Sequence, residues 1–241
     1  MTQPDTFTCV ALFALFAAVI NSVGIFTILK HKVWAEKAKT HIMCFAAGVL
    51  ISTPLMFAFP EAIRKNRYAG FAALGGFLFM LVSNQFIKAG TKQKGLAFGV
   101  TAIEGIAIHS FVDGIMYTIT FSASLLIGLL SGIGLVIHEF AEGVIAFSVL
   151  IKGDVSKKKA VVCAFIAAAL TTPIGAFISY PLVNRLHQSL LGLLLGFVAG
   201  VLIYISASHL LPEAREGEKH SVWAFLGGVC LALGIVLTKL L

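Results

Sequence analysis

Eight runs of roughly twenty apolar residues each, the length that crosses a bilayer, fill almost the whole of this 241-residue chain. A chain built that way has few folds open to it. Hydrophobic residues make up 59% of the sequence and charged residues only 12%, against roughly half and a quarter in soluble domains. In hydrocarbon each backbone N–H and C=O needs a partner within the protein, and uninterrupted apolar runs of this length meet that need as helices. The expected spans are 7–29, 41–63, 68–88, 95–121, 124–151, 159–182, 188–211 and 221–240. The fold class is all-α integral membrane, with one transmembrane domain over residues 1–241. No basic residue precedes the first apolar run, so a cleaved signal peptide is not expected.

The formal charge of +7 does not point to nucleic acid, because the basic residues sit in short loops and form no continuous tract. They report orientation instead. Of the 18 Lys and Arg, alternate loops hold 13 on one side and 5 on the other. The positive-inside rule then places both termini outside and the loops after the first, third, fifth and seventh spans in the cytoplasm. Cys9, Cys44, Cys163 and Cys230 form no CxxC pair and read as small apolar residues.

The fourth and fifth spans each carry a polar insert in mid-span, His109-Ser110-Phe111-Val112-Asp113-Gly114 and His138-Glu139-Phe140-Ala141-Glu142-Gly143. Positions i, i+1 and i+4 of a helix share one face, so each insert presents an imidazole and a carboxylate on one stripe, with Ser110 or Glu139 beside them. Ionisable groups at bilayer depth cost several kcal/mol unless they meet a partner or a cation, which makes two such clusters a functional site by default. A divalent cation would satisfy both. The very short connection near Ser122 to Ser124 packs the two spans side by side and antiparallel.

A longer repeat surrounds the inserts. Phe45-Ala46-Ala47-Gly48-Val49-Leu50-Ile51 matches Phe197-Val198-Ala199-Gly200-Val201-Leu202-Ile203, and both runs reach Pro-Glu-Ala after the same interval, at an offset of 152 residues. Leu74-Gly75-Gly76 falls on Leu226-Gly227-Gly228 at the same offset. With the assigned topology, the first three and last three spans run in opposite senses and form an inverted repeat, a 3+2+3 arrangement typical of secondary transporters.

With these motifs the chain resembles the Zrt/Irt-like (ZIP) family of divalent metal transporters over nearly its whole length. The family's fourth helix carries a His-Asn/Ser-x-x-Asp/Glu-Gly motif and its fifth a His/Gln-x-x-x-Glu-Gly motif, matched here by His109-Ser110-x-x-Asp113-Gly114 and His138-Glu139-x-x-Glu142-Gly143. The resemblance implies a binuclear centre. Its first site would use His109, Asp113, His138 and Glu142, with Asp113 and Glu142 bridging to a second site that adds Glu139 and Ser110. Family members with a full second site offer Asn on the fourth helix and Glu before Pro on the sixth, where this chain has Ser110 and Thr172-Pro173. The second site is therefore expected to be poorer in ligands. A His at the place of His209 lines the family's exit route, and Glu104 is a candidate for the inner vestibule.

Imidazole and carboxylate without thiolate suit borderline divalent ions, Zn²⁺ first, with Fe²⁺ and Mn²⁺ also accommodated. The expected function is uptake of such an ion toward the cytoplasm, with the ion as substrate and the lipid bilayer as the other partner. Short loops suit a bacterial inner membrane, and the sequence leaves a homodimer open. Two rivals belong to other classes. His138-Glu139-x-x-Glu142 superficially matches the HExxH helix of a zinc hydrolase, but the last position is Glu where that motif needs His. A metal-gated channel or sensor would pass ions without saturating as a carrier does.

Overall fold

The computed structural model describes residues 5–90, 96–211 and 221–240, and no strand occurs among them. Eight helices follow in order: α1 (Thr6–Lys30), α2 (Lys32–Lys65), α3 (Ala69–Gly90), α4 (Leu96–Ala123), α5 (Leu125–Lys152), α6 (Lys157–Val183), α7 (Gln188–Tyr204, continued by Ile205–Leu210) and α8 (Ser221–Leu240). The first seven are long and apolar enough to cross a membrane, while the described apolar stretch of α8, Ser221–Ile235, is shorter than a full span. The outer surface is apolar: Phe71, Phe86, Trp223 and Leu182 are 67–77% exposed, whereas Ser110, Asp113 and Glu139 are wholly enclosed. Polar inside and apolar outside is the arrangement lipid requires.

Three helices are interrupted by single π-turns, at Pro54–Ala58, Phe165–Ala169 and Ile205–Leu210. The first has a direct cause. Proline has no N–H and its ring displaces the carbonyl four residues back, so the ladder at Pro54 slips by one residue. Pro54 thus interrupts α2 with a π-turn. Pro173 stands four residues beyond Ala169, the last residue of the second π-turn. The third contains no proline, yet it falls at the repeat-related position of α7.

Glycine sets the main helix crossings. A Cβ on Gly143 would collide with the backbone oxygen of Asn21 and one on Gly24 with that of Phe140, so α1 and α5 meet backbone to backbone. Gly114 meets Thr172 and Gly175 meets Phe111 in the same way, joining α4 to α6. Gly48 against Phe225 and Gly228 against Phe45 join α2 to α8, and Gly76 against Phe197 and Gly200 against Ala73 join α3 to α7. Small residues at these points let the helices approach closely where lipid supplies no hydrophobic drive. A shift of 152 residues up or down turns positions 48, 228, 45 and 225 into 200, 76, 197 and 73. The α2–α8 and α3–α7 crossings are therefore the same contact made twice.

Helix α5 is the most enclosed, with 72% of its apolar window buried, and α3 the least, with 11%. The polar inserts consequently lie deep in the bundle, on the α4–α5 hairpin whose turn is Ser124 alone.

Candidate metal site

The hairpin brings the inserts to one depth. Antiparallel packing faces Asp113 with His138 and Ser110 with Glu142, and these pairs are in contact. His109, Asp113, His138 and Glu142 each offer one ligand atom, and all four atoms lie within 4.8 Å of one another. His138 Nε2 is 3.1 Å from Asp113 Oδ2 and 3.9 Å from Glu142 Oε2, and His109 Nε2 is 3.7 Å from Asp113 Oδ2. The two imidazole rings stand edge to face, 5.8 Å apart. Tetrahedral Zn²⁺ with bonds of about 2.0–2.1 Å holds its ligands about 3.3 Å apart, so the group needs only a small contraction to take an ion.

Hydrogen positions sharpen this picture. His138 Nδ1 lies within hydrogen-bond reach of the Leu135 carbonyl, which can only accept, so Nδ1 carries the hydrogen. In the neutral ring Nε2 is then a lone pair aimed at Asp113. Among the described residues, both oxygens of Asp113, His138 Nε2 and Glu142 Oε2 are buried without a hydrogen-bond partner. Acceptors facing acceptors in a dry interior are costly, and a cation between them removes the cost.

The remaining expected residues have other partners. Ser110 donates to Glu142 Oε1 at 2.8 Å and lies 3.0 Å from the Ile106 carbonyl, so it orients a carboxylate of the group. Glu139 stands outside the group of four, fully buried. Its Oε2 accepts from Asn21 Nδ2 at 2.7 Å and its Oε1 from Thr172 Oγ1 at 3.1 Å. Glu104 is exposed on α4, apart from the cavity described below. His209 falls in the π-turn of α7, but its side chain lies outside the described residues, as do Pro212, Glu213 and Ala214. Glu61 pairs with Arg64 at 2.8 Å and Lys65 at 3.4 Å at the end of α2.

Sequence reasoning missed Asn21. The signal was present: a lone carboxamide in mid-span has the same cost in lipid as the residues that were singled out. Thr172 was noticed for the Glu it replaces, and its hydroxyl proves to be a hydrogen-bond donor to Glu139.

A cavity of about 180 Å³ reaches the group from one side, with His109, His138 and Glu142 at its inner end and Ser83, Asn84 and Tyr204 among its walls. Asn84 Nδ2 donates to the Tyr204 hydroxyl at 2.8 Å. The cavity-lining Met43, Ser83, Asn84, Gly105 and Ile145 occupy the parts of their helices nearer Lys32, Gly90, Leu96 and Lys152. On the other side of the group, short of the open pocket that Glu61, Arg64, Ser124 and Ile127 line at the far end, the packing is tight instead, with Gly134 against the Leu50 and Val49 side chains, Gly132 against Phe13 and Gly128 against Phe121.

Comparison with known proteins gives the same direction. The chain is 28% identical to the zinc transporter ZupT of Chlorobium chlorochromatii, over 94% of each protein. It is 32% identical to the ZupT of Akkermansia muciniphila over 81% of this chain and 70% of that one. With the ZupT of Clostridium perfringens it shares 38% identity over 62% of this chain and 54% of the relative. Residues 92–241, which include both polar inserts, match the ZIP zinc transporter family. That match covers more than half of the sequence, and the chain belongs to this family of transporters.

Proposed function

We propose that this protein carries Zn²⁺ into the cytoplasm across a bacterial inner membrane, and that His109, Asp113, His138 and Glu142 hold the ion in transit. The observation that carries the reading is the set of buried lone pairs on Asp113, His138 and Glu142 that have no hydrogen-bond partner and converge on one point. The relatives named as zinc transporters support the choice of ion, and the donor set would also accept Fe²⁺ or Mn²⁺. Carboxylates and imidazoles exchange ligands, as a site that must release its ion requires. Both termini lie outside in this reading, with the first three and last three helices as inverted halves about the α4–α5 pair.

The repeat also supplies a way to switch access. The cavity marks one half of the route, on the Lys-rich side, while Leu50 seated on Gly134 closes the other. Gly105 and Leu202 are the repeat counterparts of Gly134 and Leu50. Seating Leu202 on Gly105 while Leu50 lifts from Gly134 would close the inner route and open the outer one, as exchange between inverted halves demands.

The test is purified protein in liposomes loaded with a zinc-sensitive dye, in which saturable accumulation is expected and an impermeable liposome refutes the reading. Ligand imidazoles and carboxylates must be deprotonated to bind, so zinc occupancy and uptake fall as the external pH is lowered from neutral. Uptake that rises on acidification would show that proton binding at the ligands does not oppose the ion. Ser110→Ala removes one donor from Glu142 without touching the four ligand atoms. Its expected effect is a loss of zinc affinity of about tenfold, within the range for an outer partner of a ligand, with the protein still folded. Calorimetric titration measures it.

A further inference from the structure

The resemblance leads one to expect two ions, yet Glu139, the chief ligand of the second, is already engaged. Each of its oxygens accepts one hydrogen bond, from Asn21 on α1 and from Thr172 on α6. All three side chains are fully enclosed. We propose that this chain builds a one-ion centre, in which Asn21 and Thr172 clamp Glu139 where a second ion would otherwise bind, making Glu139 a positioning residue. The inference rests on the four-residue site proposed above.

The clamp has little freedom to open. Asn21 and Thr172 are the residues whose backbone oxygens abut Gly143 and Gly114. The donors are therefore rooted at the closest crossings of α1 with α5 and of α6 with α4, where neither helix can shift without separating from the central pair. Each aims a hydrogen at one carboxylate oxygen and turns it toward α1 or α6, outside the four-ligand group, so a cation could reach Glu139 only through the remaining lone pair of an oxygen already held as an acceptor. What remains for a second ion is poor: Thr172 brings no charge, Ser110 offers only a neutral hydroxyl oxygen, and Asp113 and Glu142 already belong to the four-residue group.

The two donors are also repeat counterparts. Asn21 and Gly24 on α1 correspond to Thr172 and Gly175 on α6 at an offset of 151 residues. One carboxylate thus grips both halves of the molecule. Because Glu139 directly follows His138 and lies three residues before Glu142, the grip fixes the rotation of α5 and hence the aim of both ligands. Two neutral donors also meet the hydrogen-bonding need of a buried carboxylate that no ion neutralises.

Equilibrium dialysis of the purified full-length protein against zinc, with metal analysis, counts ions per chain. The wild type is expected to bind one ion, and Glu139→Gln to bind one as well, because its carboxamide oxygen still accepts one of the two hydrogen bonds and the four ligand atoms are untouched. Glu139→Ala and Asn21→Ala leave buried partners unpaired and should weaken zinc affinity about tenfold or more with the count unchanged, a loss that Glu139→Gln shares only in part. Thr172→Glu replaces a donor with a second carboxylate and should raise the count to two. Two ions in the wild type, falling to one in Glu139→Gln, overturn the proposal. A wild type that binds none refutes the four-residue site itself, a separate outcome.

Discussion

Asp113→Ala is expected to reduce zinc uptake to the level of liposomes without protein. Asp113 touches both imidazoles, at 3.1 Å from His138 Nε2 and 3.7 Å from His109 Nε2, so its loss removes the ligand that gathers the others. The fall in affinity should exceed the 10–100-fold that follows removal of an outer partner. Asp113→Asn keeps the shape and hydrogen-bonding capacity but not the charge, and should fail nearly as completely. Stability of the zinc-free protein should suffer far less than uptake. Asp113 is buried against two imidazoles, so its replacement relieves a buried charge while taking a neighbour from His138, and the melting temperature should change little. Protection by added zinc should then vanish in both variants. Retained uptake by Asp113→Ala would remove the basis for the site.

The four-residue group could be read from sequence because helical geometry is local: His and carboxylate four residues apart share a face whatever surrounds them. The short connection at Ser124 did the rest, since a hairpin makes the first insert a necessary neighbour of the second. Glu139 was harder to read. Its partners are 118 residues upstream and 33 downstream, and motif spacing carries no information about donors supplied by other helices. Helix limits follow the same rule. The second span was expected at 41–63, yet α2 begins at Lys32, because a polar turn outside the apolar run continues a helix at no cost in water. The π-turn at Pro54 was legible through its proline, whereas the one at Ile205–Leu210 contains none and answers to tertiary packing.

Gly143→Ala should be among the most damaging single-methyl additions in the described helices, after changes to the ligands themselves. The new Cβ would run into the Asn21 carbonyl oxygen, with the carbonyl carbon at 3.0 Å and Asn21 Oδ1 at 3.1 Å, so no single side-chain rotation relieves it. Helix α1 must retreat from α5 by roughly 1 Å to restore ordinary van der Waals separation. That movement also draws Asn21 Nδ2 away from Glu139, and overpacking is thereby added to a lost charge-assisted hydrogen bond. Overpacking alone typically costs about 1–3 kcal/mol and a hydrogen bond to a charged group about 1.5–3 kcal/mol. Together they can lower the folded-to-unfolded ratio by a hundredfold or more. Gly75→Ala on α3 is the control: nothing lies within 4 Å of its Cβ, and alanine in an exposed helix is favoured over glycine by up to about 1 kcal/mol. Thermal unfolding in detergent, followed by size-exclusion chromatography, should show Gly75→Ala at or above the wild-type midpoint and Gly143→Ala well below it. Equal midpoints for the two variants would mean that α1 and α5 do not meet backbone to backbone. The clamp on Glu139 would then lose the rigid crossing on which its grip depends.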